Sequence, residues 1–485
     1  DEVWVAAGVY TSAANPVVAM KAGVAIYGGF AGVETERTQR NWTSNVTTID
    51  GENARRCVTG ANGAVLDGFT VTRGRALFVS SIFDCRGGGM FNDNASPTVA
   101  NCIFQNNAAV DWDPGGGAIF NQYASPTISN CQFINNAAAG YSAGSGGAIF
   151  NYSCGSIAIT SCAFSGNTAL SSGGAITNNE STATITNCLF SGNSSDDYGG
   201  GAISNTLSSV TSVNSVFFNN SSFFGGGVRN IGASLTAVNC SFSGNTAVND
   251  GGGIYNAYES SAVLTNCILW GNAAASGPEF FDSSSTTTAT YSCIGGGYAG
   301  EGNIAVDPLF MNAGAGDLGL QPSSPCRDAG TADGAPDYDI LGTPRPQGGG
   351  HDMGAYEYTT SALEVYALSS VSAQVEIGGM ATFAVGVTGS TGVLSYQWYR
   401  QNSDKDLSLI PDAVESSYTV YNVSEADLGY YQCEVYDDGR GETVWSPLFR
   451  IVLSGSMPAA GMSGLLVIAT ALALMGTLAT IKQRQ

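Results

Sequence analysis

Basic residues are scarce in this sequence: 17 Lys and Arg stand against 39 Asp and Glu, the net charge is −22, and there is one His. Such a chain repels phosphate backbones, which excludes nucleic acid as a partner, and it repels anionic lipid. Between Arg86 and Arg327 the only basic side chain is Arg229, with no Lys or His. A polysaccharide lyase needs a base beside the sugar and cations to hold an acidic substrate, so that chemistry lacks its residues here. A glycosidase needs two flanking carboxyl groups. Asp111/Asp113 and Asp196/Asp197 are the nearest pairs, and both fall in turns, where solvated carboxylates are the ordinary reading. The twelve Cys include no Cys-x-x-Cys, which argues against thiol metal or redox centres. No signal peptide is legible: Asp1-Glu2-Val3-Trp4-Val5 already reads as a strand, and a leader and cap are expected to have preceded it. Charged residues are only 12% of the chain against 65 Gly, which favours short strands and turns over helices.

Repetition fills the middle of the chain. A Gly-Gly-x-apolar-x-Asn phrase ends at Asn92, Asn121, Asn151, Asn178, Asn205, Asn230 and Asn256. A second phrase, Asn-Cys-x-Phe-x-x-Asn, keeps step with it through Cys102, Cys131, Cys162, Cys188, Ser215, Cys240 and Cys267. A unit of about 27 residues holding only short β phrases cannot bury itself; stacked, it pairs with its counterparts about 4.8 Å away. Three strands and three turns per coil are expected, giving an all-β, right-handed parallel β-helix. Met90, Ile119, Ile149, Ile176, Ile203, Val228 and Ile254 form one inward row, and Phe104, Phe133, Phe164, Phe190, Phe217 and Phe242 another. The Asn residues are expected at bends, in the left-handed conformation and bonded to the Asn above and below. The Cys row reads as small core residues, with Cys293 extending it. No disulfide is assigned to Cys57, Cys85, Cys154, Cys326 or Cys433.

The GGAI and FxxN phrases resemble the repeat of chlamydial polymorphic outer-membrane proteins and of bacterial β-helix surface proteins. The segment from Asp307-Pro308-Leu309-Phe310 to Asp352-Met353-Gly354-Ala355-Tyr356-Glu357 resembles the choice-of-anchor Q domain that closes such helices. The expected divisions are therefore coils over 1–306 and a C-terminal cap over 307–358. Residues 359–453 resemble an immunoglobulin-like sandwich: Trp398 fits the core tryptophan, Tyr431 the tyrosine corner two residues before Cys433, and Val385 stands where the partner Cys would be. In 454–485 a charge-free run precedes Lys482 and Arg484, as in a transmembrane helix with a cytoplasmic end. With Met457, Pro458, Ala459, Ala460 and Gly461 before it, the tail resembles a PEP-CTERM-like sorting signal. That resemblance implies a sorting transpeptidase as partner.

These readings converge on an exported protein of a bacterial cell surface or outer envelope, anchored through its tail or released by processing. The expected function is non-catalytic: an adhesin or stalk recognising an extracellular glycan or another surface. A carbohydrate-active β-helix enzyme is the alternative. Strand alternation turns Phe91, Phe120, Phe150, Thr177, Ser204, Arg229 and Tyr255 outward. Three successive Phe on a solvent face make an aromatic strip about 10 Å long that suits sugars. No cofactor is required, although Asp328, Asp333, Asp337, Asp339 and Asp352 offer oxygen ligands for Ca²⁺.

Overall fold

The computed structural model describes residues 1–77, 85–140, 144–359, 363–390, 392–401 and 406–454. The sorting motif Met457–Gly461 and the apolar run after it lie outside these residues. Among the described residues no helix is long and apolar enough to cross a membrane. The chain divides into two compact units at Tyr358/Thr359.

The first unit is a parallel β-solenoid. The coil through Ile119 shows the plan: Ile119–Gln122, Thr127–Ser129, Gln132–Ile134 and Ala137–Gly140, each strand paired in parallel with its counterparts in the neighbouring coils. We call the resulting walls the Asn, Thr, Phe and fourth sheets; among the described residues they hold 10, 11, 11 and 7 strands. The fourth sheet corrects the expectation of three strands per coil. It follows the Phe strand directly, and its small residues (Ala108–Asp111, Ala137–Gly140, Thr168–Ala169) give no hydrophobic alternation to announce it.

Both inward rows form as expected. Ile119, Ile149 and Ile176 are register partners and fully buried. From Phe104 to Phe242 the rings stack with centroids 4.3 to 5.3 Å apart, within 11° of parallel. The Asn residues bond coil to coil, and those that open the second phrase take the expected left-handed bend, whereas those that end either phrase do not. In one column Asn92 to Asn256 lie within strands of the Asn sheet, and each Nδ2 donates to the Oδ1 of the next coil at 2.7 to 2.9 Å. In a second, Asn107 to Asn272 do the same at 2.8 to 3.0 Å. One row of left-handed corners is the residues before the Cys row: Asn101, Asn130, Ser161, Asn187, Asn214, Asn239 and Asn266, with φ of 49 to 54°; Asn106, Asn135 and Asn219 belong to another. A bonded amide side chain within a strand removes the need for a bend there.

The Cys row is more than small packing. Cys102, Cys131, Cys162, Cys188, Cys240 and Cys267 each donate Sγ–H to the carbonyl two residues earlier, and Ser215 does so through Oγ at 3.0 Å. A hydroxyl or a thiol serves equally, which explains the interchange. Cys293 does not extend the row. Ser292 occupies that position, its Oγ accepting from Cys267 N at 3.0 Å, and Cys293 pairs with Ile268 on the outer side of the Phe sheet. All twelve cysteines are free and buried.

Residues 295–306 close the far end of the stack. Tyr298 packs against the core there, its ring 4.9 Å from Phe280. Residues 307–358, expected to be the end cap, instead run back along the outer face of the Phe sheet. Phe310, Leu318, Leu320, Cys326, Met353 and Ala355 cover Val216, Ile268 and Cys293. Asn214, Asn239 and Ser241, on earlier coils, bond to Tyr338, Asp352 and Ala355 of this strap. The outer face of the Phe sheet is apolar at those coils and must be covered.

The second unit is a two-sheet antiparallel arrangement. Ala381, Phe383, Val385 and Val420 from one sheet meet Trp398, Tyr431, Cys433, Val435, Phe449 and Ile451 from the other. Trp398 Nε1 donates to Glu415 O at 2.9 Å, and Tyr431 Oη donates to Asp427 O at 2.7 Å. Cys433 is buried without a disulfide, and Val385 packs in the same core.

Candidate binding surface

The outward row of the Asn sheet begins under cover. Phe120 is fully buried, and Phe150, Thr177 and Ser204 are buried as well; only Phe91 is half-exposed. The expected solvent-facing strip of three Phe is therefore corrected. The turn that leads from the fourth sheet into each Gly phrase folds over this row. A Cβ on Gly115 would meet the rings of Phe150 and Phe120, and Gly173 N donates to Thr177 Oγ1 at 2.9 Å. Guanidinium groups seal the edge, with Arg56 4.6 Å from the Phe91 centroid and Arg86 5.0 Å from that of Phe120. The Gly residues at the turn were the sequence signal for this approach: only a bare backbone fits over a ring.

Further along the row the cover changes. Arg229 and Tyr255 are half-buried, and Phe281 continues the row in the next coil. Aromatic rings from a turn and from the fourth-sheet strand Ser221–Phe224 join them. Tyr198 lies 6.0 Å from Phe224 at an interplanar angle of 20°, and Phe224 lies 4.8 Å from Tyr255. Tyr255 stacks on Phe281 at 6.0 Å and 4°. Phe223 packs edge-on against Phe224 at 4.9 Å. Tyr198 is 64% exposed and Tyr258, nearby, 74%. The result is a half-open aromatic ridge running across successive coils. Sequence reasoning placed Arg229 and Tyr255 on it but missed Tyr198, in a turn, Phe224, at the end of the fourth-sheet strand Ser221–Phe224, and Phe281, in a coil whose Gly phrase is lost to Pro278-Glu279.

Arg229 is set into this ridge without a counter-ion. Its Nε is buried and has no hydrogen-bond partner, and burial lowers its pKa while Tyr255 and Tyr258 act on it weakly in the other direction. Ser204, its register partner one coil earlier, also has a buried Oγ with no partner.

The carboxylate pairs do not form a comparable site. Asp113 is held by an ion pair to Arg86. Asp196 and Asp197 lie exposed in a turn, their amides bonded to Ala169 O and Leu170 O. The five aspartates proposed for Ca²⁺ do not converge either. Asp352 accepts from the amides of Asp328 and Tyr358 at 2.7 and 2.6 Å, and Asp339 from those of Leu341, Thr343 and Glu357. Asp328 accepts from Gly350 N, and Asp333 and Asp337 are exposed or half-exposed. The buried cation of the strap, Arg345, pairs with Glu357 at 2.6 Å. Among the described residues no group of three or more His, Cys, Asp or Glu is placed to hold a metal ion.

Comparison with known proteins agrees with this architecture. A family model described as "Right handed beta helix region" matches residues 8–150 and 42–217. The "Chlamydia polymorphic membrane protein (Chlamydia_PMP) repeat" matches residues 239–257. No curated protein matches. Solved structures that match include "Structural basis for Dscam isoform specificity", at 22% identity and TM-score 0.16 over 19% of this chain and 21% of that one. Another is "Crystal structure of Dscam1 isoform 8.4, N-terminal four Ig domains", at 21% identity and TM-score 0.17 over 23% and 25%. The chain thus spans a fifth to a quarter of the length of those structures, a likeness too slight to carry an argument. What the chain is similar to, over residues 8–217, is the right-handed β-helix region.

Proposed function

We propose that this is a non-catalytic protein of a bacterial surface whose solenoid binds glycan along the ridge of Tyr198, Phe224, Tyr255 and Phe281. The ridge is the observation that carries the reading. Stacked, half-exposed rings lose little entropy on binding and offer flat apolar faces to the C–H faces of sugar rings. The similarity of residues 239–257 to a polymorphic membrane protein repeat supports a surface location. On this reading residues 359–453 are an immunoglobulin-like spacer, and the apolar tail anchors the protein or is cut by a sorting transpeptidase.

The test is a glycan array followed by calorimetry on the full chain and on the double variant Tyr255→Ala/Phe281→Ala. The variant is expected to bind at least about tenfold more weakly, as loss of two stacking rings implies, with an unchanged circular dichroism spectrum. Equal affinity in the two proteins would remove the ridge as the site. Turnover of any arrayed sugar would replace the non-catalytic reading with the enzymatic one.

A further inference from the structure

Among the described residues, the buried and half-buried arginines of the first unit other than Arg229 have an acceptor for the guanidinium: Arg56 donates to Gly87 O and Arg86 O, Arg327 to Pro322 O, and the rest face carboxylates. Arg40 faces Asp67 at 2.8 Å, Arg86 faces Asp113, and Arg345 faces Glu357 at 2.6 Å. A guanidinium withdrawn from water without a carboxylate is unfavourable, and the penalty is recovered only when an anion or an acceptor arrives. Arg229 has neither: no ion pair or side-chain hydrogen bond holds it, and its Nε is sealed from solvent. No carboxylate acts on it either, since the groups that bear on its charge are Tyr255 and Tyr258. Ser204, more than nine-tenths buried and adjacent in register, leaves an unused hydroxyl in the same place. The residue occupies a row whose other members are aromatic or hydroxylic, and the half-exposed faces of Tyr255 and Phe224 lie beside it.

Resting on the glycan-binding reading, we infer that Arg229 selects an acidic sugar unit. One ring of the ligand stacks on Tyr255, and its carboxylate or sulfate takes the guanidinium as counter-ion. A planar fork suits a carboxylate or sulfate held through two parallel N–H···O bonds, and a charge-assisted bond in a water-poor place is stronger than a neutral one. The net charge of −22 opposes a long polyanion. The ligand is therefore a short stretch with one acidic unit at Arg229 rather than a densely charged polymer lying along the wall.

The experiment titrates the full chain with three hexasaccharides by calorimetry, at low and high salt: a galactan, a galacturonan with a single free carboxylate, the rest methyl-esterified, and a galactan bearing one sulfate. Wild type is expected to prefer an acidic sugar over the neutral one by about tenfold or more, as one charge-assisted bidentate contact implies, and to lose the preference as salt rises. The carboxylate and sulfate arms tell which group is taken. Arg229→Gln should bring the acidic-to-neutral ratio close to one, and Arg229→Lys, which keeps the charge and loses the fork, should fall between. Thermal melts of both variants check the fold, and the lysine form keeps the test valid if glutamine destabilises it. Equal binding of neutral and acidic sugars by wild type, or an undiminished preference in Arg229→Gln, overturns the assignment while leaving the ridge as a glycan site. If no sugar of either charge binds, the glycan reading falls with it.

Discussion

At the scale of the residue, this protein is held by side chains that satisfy one another from coil to coil. Asn167 shows how much one amide carries. Its Oδ1 accepts from both the backbone N and the Nδ2 of Asn136 at 3.0 Å, and its Nδ2 donates to Phe133 O and Asn193 Oδ1 at 2.9 Å. Asn167→Ala removes four buried hydrogen bonds, so a loss of at least about 3 kcal/mol is expected in denaturant unfolding. A loss under about 1 kcal/mol would mean that the column relaxes around the gap. The thiols make a second prediction. Burial pushes Cys57 and Cys433 up to about 12 and raises Cys131, Cys188 and Cys267 as well. All twelve thiols are buried, so the folded protein at pH 8 should resist iodoacetamide at all twelve sites and react at all twelve in denaturant, counted by mass spectrometry. Fast labelling of the native chain would contradict the burial. The spacing of Asn and Cys made both columns legible in the sequence. Which Asn take the left-handed bend was legible only in part, because a column of amides is compatible with a bend or with a strand until the neighbouring residue is known to take the turn.

At the scale of the element, the fourth sheet is the lesson. Its strands are too small and too polar to show a period of two, and yet they change what the Asn sheet presents. Phe120 read from alternation is an exposed ring; Phe120 under the turn at Gly115 is core. Phe120→Ala is accordingly expected to destabilise the solenoid by about 3–5 kcal/mol, measured by chemical unfolding, and to leave sugar binding by the folded fraction intact. The strap hid for a different reason: its contacts, such as Asn214 to Tyr338, join positions far apart in the chain and repeat nowhere. The last coil carries a pH dependence. Glu279 accepts from Asn272 Nδ2 at 2.5 Å and Gly271 N at 3.1 Å, and burial raises its pKa from 4.5 to about 7. A carboxyl whose folded pKa is raised contributes stability fully present below pH 4.5 and lost as pH rises through about 7. Burial raises Asp352 in the same direction, to about 6. Between pH 5 and pH 8 the melting temperature of wild type should fall further than that of Glu279→Gln. Parallel curves for the two proteins would place the pH dependence elsewhere.

At the scale of the whole molecule, stability is a sum over neighbouring coils. Each coil touches the one before and the one after, so removal of one complete repeat joins equivalent residues. Excision of residues 179–205 brings Thr206 after Asn178 and keeps every column in register, since Asn178 and Asn205 are partners. That protein should fold, with the far-ultraviolet spectrum of the parent and a slightly lower melting temperature. Excision of half that length should not, because it sets Phe over Asn. If both deletions behave alike, register is not what organises the stack. The solenoid was readable at this scale because a vertical neighbour in space is a fixed distance away in sequence. The binding ridge was readable only in part, since Tyr198 comes from a turn of variable length and Phe224 from a fourth-sheet strand, neither of which belongs to a repeated phrase.

The amide columns have a direction. In the columns from Asn92 and from Asn107 each Nδ2 donates to the Oδ1 of the following coil, so the near end is an acceptor and the far end a donor, and the two are treated differently. Gly60 stands where the first column would continue, and Asn92 Oδ1 is left bare against it. At the other end the last donors, Asn256 and Asn272, meet carboxylates, Asp282 at 2.8 Å and Glu279 at 2.5 Å. Those two acids are full stops. Coils inserted upstream of them inherit a ready-made acceptor, whereas a coil spliced on after them finds a negative charge where it needs an amide. An engineered lengthening of this protein therefore succeeds from the interior and fails at the tip.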